Sequence, residues 1–389
     1  MTRVARMFSH EMQRRGHHVE QWTADAVVGR LIGRTKQGSK WIGYIDQFLI
    51  YPWVLARKIK KEGADTLFVV IDQALGMWVP RFRHRPHVIH CNDFLALRSA
   101  LGDIRENPTG FTGKIYQHLI RRGFSKGSNF ISISKATECD LKKYKVGTIR
   151  ISTVGYLGLN ANFERLTEVE AKGRLGSHFR PADNDGFFLH VGGNQWYKNR
   201  EGVLRLYSQY CQSTADPMPL WMVGAKPSET LVQLANQVPE NGEVRFISEL
   251  DDNQVIAAYC LATLFLFPSL EEGFGWPIAE AMACGTLVLT TDAAPMTEVG
   301  GDAAIYHRRM TLGDEDNWAR DGAAKIADFL AQPDAERQRR IDMGLMNAER
   351  FSTNASMELY ESVYHDVLAT YINEMNVTKT TVKRLSHDK

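Results

Sequence analysis

At 389 residues the chain is longer than one hydrophobic core usually supports, so two domains are expected. A hydrophobic share of 44% with 24% charged residues excludes a disordered or collagen-like chain, and no apolar run approaches the roughly 18 residues of a membrane-spanning helix. The net charge of +2 conceals an asymmetry: residues 1–165 hold 27 Lys and Arg against 13 Asp and Glu, a net +14, and residues 166–389 hold 20 against 32, a net −12. Two domains with different partners are implied, the first meeting something anionic.

The first half alternates helix and strand. Val4, Met7, Phe8 and Met12 have helical spacing, so the Arg-rich start reads as a helix over 2–15 and not as a transit peptide. Strands are expected at His18–Trp22, Leu67–Ile71, His87–Cys91, Phe130–Ile133 and Ile149–Val154, with helices at Asp46–Lys61, Phe111–Arg122 and Lys135–Tyr144 between them. Strands separated by helices imply a parallel sheet covered on both faces. This first domain is assigned to residues 1–165. The Gly-, Asn- and Asp-rich segment 155–185 reads as the interdomain connection.

A second alternation fills residues 166–350, with strands at Phe187–Val191, Leu220–Val223, Val244–Ile247, Leu264–Phe267, Thr286–Leu289 and Ala304–Tyr306. Six strands in that rhythm make a complete doubly wound domain. Residues 351–375 read as a final amphipathic helix with Met357, Tyr360, Tyr364 and Val367 on one face, and residues 376–389 as a loose polar tail. The fold class is therefore α/β, two doubly wound Rossmann-like domains whose ligands would bind in the cleft between them. Five cysteines at Cys91, Cys139, Cys211, Cys260 and Cys284 show no metal-type spacing, and the odd number argues against a disulfide framework. A reducing cytosol fits them.

Chemistry concentrates in the second domain. After Leu264–Phe267, Gly273 and Gly275 flank Phe274 and let the backbone come close to a ligand. Pro277 fits the first turn of the helix that follows, whose unpaired N–H groups favour an anion. Glu272 stands just before the glycines and Glu280 inside the helix; one carboxylate accepts from two vicinal hydroxyls. Phosphate plus diols describes a nucleotide sugar, although exposed glutamates on a plain strand–turn–helix have the same spacing. Gly192 and Gly193 end an earlier strand and lead to Lys198, a second close-approach loop with a cation for a diphosphate, or a solvated turn. In the first domain His90 and Asp93 end the strand His87–Cys91, either to polarise a hydroxyl or merely to satisfy backbone groups.

The run Glu272-Gly-Phe-Gly-Trp-Pro-Ile-Ala-Glu280, followed by Ala-Met-Ala-Cys-Gly, resembles the E-x7-E signature of the family 4 retaining glycosyltransferases, which have the GT-B fold. The likeness extends upstream through Phe267-Pro268-Ser269 and downstream to Glu298-Val-Gly-Gly-Asp302. It implies that Glu272 holds hydroxyls of the transferred sugar and Glu280 the ribose. It implies that Gly192, Gly193, Lys198, Gly273, Phe274 and Gly275 line the donor site, and that the loop from Arg245 to Leu250 faces the base. Where that family often pairs the lysine with an arginine five residues earlier, this chain has Gly193, so Arg200 would supply the charge. His90 and Asp93 would touch acceptor or sugar. In that family the final helix packs back on the first domain.

The reading is a retaining, metal-independent hexosyltransferase that uses a nucleotide-diphosphate sugar as donor substrate and no cofactor. The acceptor would be a saccharide or lipid-linked saccharide in bacterial surface-polysaccharide synthesis. The protein would be cytoplasmic, with its basic first domain touching the anionic inner face of the membrane, and no nucleic-acid partner is expected. A nucleotide-sugar 2-epimerase of the same architecture and a non-catalytic nucleotide-sugar-binding paralogue are the alternatives. The resemblance also implies a strand and a Gly-Gly turn before the first helix, which residue 2 already lies inside; the expectation is a first domain that lacks both.

Overall fold

Parallel strands alternating with helices make up both halves of the computed structural model, which describes residues 2–24, 43, 46–159 and 161–387. The chain divides into two units, residues 1–156 with 354–389, and residues 157–353.

In the first unit, strands β1 (Phe68–Val70), β2 (His87–Cys91), β3 (Asn129–Ser132) and β4 (Ile151–Val154) lie side by side in chain order, all parallel. Helices α1 (Thr2–Arg14), α2 (Tyr51–Ile59), α3 (Leu95–Leu101), α4 (Phe111–Phe124) and α5 (Lys135–Tyr144) accompany them, with α14 (Thr353–His387) joining from the chain's end. The strand period of two sorts β2 onto two faces. Ile89 and Cys91 enter a core with Phe124, Phe130, Leu141 and Tyr144. His90 faces the other way, where Phe8 of α1 and Tyr360 of α14 pack against its ring at 4.9 and 5.0 Å. The Tyr360 hydroxyl, buried, donates to the Gly155 carbonyl at 2.7 Å and fixes α14 on this unit.

Three expectations are corrected. Residues His18–Trp22 do not form a strand. Trp22 packs on Phe68 at 5.9 Å, yet a strand also needs a neighbour whose N–H and C=O groups stand in register, and no ladder bond reaches this run among the described residues. The loose tail is helical as far as His387: between Ile372 and His387 there is neither Gly nor Pro to stop the hydrogen-bond ladder. Residues 388 and 389 of that tail lie outside the described residues. The boundary between units falls after Tyr156 and not at 165. The chain from Leu157 onward is held by the second unit: Leu159 N–H donates to Phe351 O at 3.0 Å, Thr353 Oγ1 donates to Leu159 O at 2.6 Å, and Phe163 packs on Tyr259.

The second unit carries six parallel strands, β5 (Phe188–Gly192), β6 (Leu220–Gly224), β7 (Val244–Ile247), β8 (Leu264–Phe267), β9 (Val288–Thr291) and β10 (Ile305–His307), in the order β10-β9-β8-β5-β6-β7. Its helices are α6 (Glu168–Leu175), α7 (Arg200–Ser213), α8 (Glu229–Ala235), α9 (Asp252–Leu261), α10 (Trp276–Ala283), α11 (Met296–Gly300), α12 (Glu315–Leu330) and α13 (Asp334–Ala348). On one sheet face Phe188, Leu220, Met222, Leu264, Leu266 and Leu289 pack against α7 and α12 through Tyr207, Leu206, Trp318 and Ile326. On the other, Phe187 stacks on Trp221 at 4.2 Å and Phe265 meets Tyr259 edge-on. The chain moves outward one way from β5 through β6 to β7, then returns past β5 to β8 and outward the other way. This is the doubly wound order with its reversal between β5 and β8, the place where such sheets open a ligand site at the strands' carboxyl ends.

Candidate functional site

Two loops leave the second sheet at that reversal, one after Gly192 of β5 and one after Phe267 of β8. They are laced together. Asn199, in the left-handed region at φ 51°, caps α7 by accepting from Gly202 N–H, and its Nδ2 donates to the buried Pro268 carbonyl at 2.9 Å. Leu270 N–H donates to Tyr197 O at 2.8 Å. The lacing brings Lys198 Nζ to 2.7 Å from Glu272 Oε1, with side-chain exposures of 15% and 9%. The ammonium also lies over the Phe267 ring at 4.9 Å.

Gly192 and Gly193 are followed by a backbone that has to fit under its neighbours. A Cβ at Gly224, where φ is +130°, would stand 2.2 Å from Gly192 O, so the ends of β5 and β6 touch main chain to main chain. Arg200 is buried and bridges these two loops: Nη1 donates to Asn194 Oδ1 and, at 2.9 Å, to Ala225 O. Its Nε and Nη2 have no hydrogen-bond partner among the described residues, and burial draws its pKa down. The arginine therefore braces the loops from inside, as a buried and not an open cation.

Beyond Glu272, Gly275 takes φ +105° as the N-cap of α10, a conformation that favours glycine. Gly273 precedes it. The Phe274 side chain turns inward, buried against Phe351 at 5.4 Å, so at this residue the loop offers a ligand its backbone and not an aromatic face. Glu280 on α10 accepts from the hydroxyl of Tyr259 at 3.1 Å, and the buried tyrosine aims the carboxylate. Arg245, expected in a loop facing the base, stands instead in β7, where its Nη1 donates to both carboxylate oxygens of buried Asp183 at 3.1 and 2.8 Å and its guanidinium lies over Trp221. Under the loops sits His190, whose Nδ1 meets Leu266 O at 2.9 Å; burial pulls its imidazole down to about 3 and keeps it neutral.

The two first-unit candidates fare differently. His90 is 1% exposed, its Nε2 at 2.7 Å from the Tyr364 hydroxyl, and burial pulls it down to about 3. The expectation that it polarises a substrate hydroxyl is corrected: its face of β2 is covered by α1 and α14. Asp93 stands past the end of β2, accepts from Leu95 N–H at 3.0 Å, and is pushed up by burial. Next to it, at the end of β1, is Asp72. Its carboxylate accepts from Ala74 N–H at 2.7 Å, and burial, with a contribution from Asp93, pushes it up to about 6. Asn92 and Gln73 tie the two strand ends, Asn92 Nδ2 to Ile71 O at 3.1 Å and Asn92 N–H to Gln73 Oε1 at 2.9 Å.

Residues Asp72, Asn199 and Tyr259 escaped the sequence reading. An asparagine just before a helix that follows a glycine loop is a capping signal, and Asp72 ends its strand as Asp93 ends the next one. Tyr259 carries no such mark.

Residues 177–344 match the family model described as glycosyl transferases group 1. The chain is 31% identical over 169 residues to O-antigen chain mannosyltransferase B of Escherichia coli, covering 43% of this chain and 42% of that one. It is 23% identical over 272 residues to O-antigen chain mannosyltransferase RfbU of Salmonella typhimurium, covering 68% and 66%. The chain thus spans about two-fifths of the first relative's length. Among solved structures, sucrose-phosphate synthase from Thermosynechococcus elongatus superposes with a TM-score of 0.62 at 19% identity, covering 78% of this chain and 74% of that one. Anabaena HepE in complex with UDP and glucose gives 0.60 at 17%, covering 82% of each. The fold is GT-B.

Proposed function

We propose that the protein is a retaining, metal-independent glycosyltransferase that moves a hexosyl group from a nucleotide-diphosphate sugar to a saccharide or lipid-linked saccharide in bacterial surface-polysaccharide synthesis. The observation that carries the reading is the Lys198–Glu272 pair at the strand reversal of the second unit. A cation and a carboxylate held side by side, next to a glycine loop opening a helix, suit a donor whose diphosphate takes the ammonium and whose sugar hydroxyls take the carboxylate. Glu280, aimed by Tyr259, suits the ribose diol. The names of the relatives favour mannose as the transferred sugar.

The chemistry follows from charge. As the sugar leaves, negative charge grows on the departing phosphate, and a preorganised donor there is worth about 3–4 kcal/mol. Lys198 supplies it together with backbone N–H groups. The acceptor attacks on the face the diphosphate leaves, and the leaving phosphate takes the acceptor's proton, which gives retention without a covalent glycosyl-enzyme carboxylate. On the acceptor side, α4 presents Phe111, Ile115 and Leu119 one turn apart and exposed, beside exposed Lys114, Arg122 and Lys126, with no acidic residue along the helix. That face suits the anionic inner face of a membrane carrying a lipid-linked acceptor. No helix among the described residues is long and apolar enough to cross a membrane.

The test is donor turnover with and without acceptor. Purified protein is given UDP-, GDP- or ADP-linked hexoses, mannose among them, with mannose-terminated oligosaccharides as acceptors. Acceptor-dependent transfer with the anomeric configuration kept is expected. Turnover without acceptor, or inversion at the anomeric carbon, would refute the reading.

A further inference from the structure

A second cluster of chemistry lies in the first unit, where α1 ends against α14. Helix α1 closes with two backbone bonds, Gly16 N–H to Gln13 O at 3.0 Å and His17 N–H to Met12 O at 3.1 Å, with Gly16 at φ +90°. This is the Schellman termination, and it gives His17 a fixed backbone position. Across from it Glu361 and His365 lie four residues apart on α14, hence on the same face one turn apart. Their helix is anchored by the buried Tyr360 and by Tyr364. His17 Nε2 is 2.6 Å from Glu361 Oε1, His365 Nε2 is 4.0 Å from the same oxygen, and one ligand atom from each residue falls within 4.8 Å of the others.

We propose that His17, Glu361 and His365 form a binding site for a divalent transition-metal ion of the zinc class. Two imidazoles and one carboxylate are a donor set such ions favour, with the fourth position left to water. In a tetrahedral zinc site the ligand atoms stand about 3.4 Å apart, a value that follows from bond lengths of about 2.0–2.1 Å. The separations of 2.6 and 4.0 Å lie on either side of it, and the third lies within 4.8 Å, distances that side-chain rotation can adjust. Arg15 serves as outer support. Its Nη1 donates to Glu361 Oε2 at 3.0 Å and its Nη2 to Asn354 Oδ1 at 2.7 Å, which turns Oε1 toward the histidines. The side chains are 38%, 22% and 64% exposed for His17, Glu361 and His365, so an ion reaches them from solvent. Bound there, it clips the end of α1 to α14.

The probe is Zn²⁺ itself, titrated calorimetrically into chelator-treated full-length chain, with Co²⁺ absorption reporting the geometry. One equivalent should bind, the melting temperature should rise because the ion binds only the folded state, and Co²⁺ should give the intense visible bands of a tetrahedral site. His365→Gln, at a largely exposed position, and His17→Gln should each weaken binding by at least about tenfold. Absence of saturable one-equivalent binding overturns the proposal. So does binding that survives both substitutions, since another of the chain's 12 histidines would then be the ligand.

Discussion

Lys198 and Glu272 neutralise one another across 2.7 Å, and each side chain is largely out of water. Such a pair is worth most when both partners stay, since removing one leaves the other's charge stranded. If Glu272 meets the sugar that changes in the transition state, Glu272→Ala should cut kcat by about 10²–10³-fold, while nucleotide affinity stays near that of the parent. Glu280→Ala should do the reverse and weaken nucleotide binding by about tenfold or more, a hydrogen bond to a charged group being worth about 1.5–3 kcal/mol. Calorimetric Kd beside steady-state kcat separates the two; equal effects of both variants on both constants would remove the assignment. Asp72 makes a different case. A carboxyl held at about 6 against an ordinary 3.8 binds its proton more tightly in the folded chain. Its contribution is therefore a penalty that is absent below about pH 4, grows as pH rises toward 6, and is complete above. Asp72→Asn keeps the capping geometry and should raise stability by about 1–3 kcal/mol at neutral pH, with no gain at about pH 4. Denaturant melts at the two pH values decide it.

The loops that carry the site depend on how α7 starts. Asn199 holds a left-handed conformation, caps the helix and hydrogen-bonds Pro268 O, so one side chain fixes where Lys198 meets Glu272. Asn199→Ala loses the cap and leaves a buried carbonyl without its donor, a destabilisation of about 2–4 kcal/mol. Asn199→Gly relieves only the backbone strain and should recover a small part of that. Urea melts of both variants check the order, and a silent alanine variant would mean the loops are held elsewhere. Much of this element was legible in advance: the glycine loops, the proline in the first turn of α10 and the two glutamates are local signals. What stayed hidden was the inward turn of Phe274 and the bracing role of Arg200. Both depend on residues far along the chain, Phe351 and Ala225.

At the scale of the molecule, residues 1–165 carry a net +14, and α4 with the residues just after it presents exposed Lys114, Arg122 and Lys126 beside its exposed apolar side chains. Co-sedimentation with vesicles rich in anionic lipid should therefore exceed that with neutral vesicles and fall as salt rises, since surface charge is screened within about 10 Å at 0.1 M. Phe111→Ser with Ile115→Ser should lower recovery at every salt concentration, because the apolar share of the contact is lost. Equal recovery with neutral and anionic vesicles would leave this face without that partner.

The amino-acid sequence by itself determined the elements. Period-two and period-3.6 patterns are local, so β2, β3, α5 and the strands of the second unit stand where those patterns put them, within a residue or two. It also determined the two glycine loops, because Gly, Pro and Glu at close spacing act within one turn of chain. Tertiary structure decided adjacency. That β5 lies beside β8, and so brings Lys198 to a glutamate 74 positions away, follows from the packing of a whole sheet. His90 looks the same in sequence whether its strand face is open or covered, and α14, arriving 274 residues later, covers it. His18–Trp22 has the alternation of a strand and does not become one, because a strand exists only where a neighbour offers hydrogen-bonding groups in register.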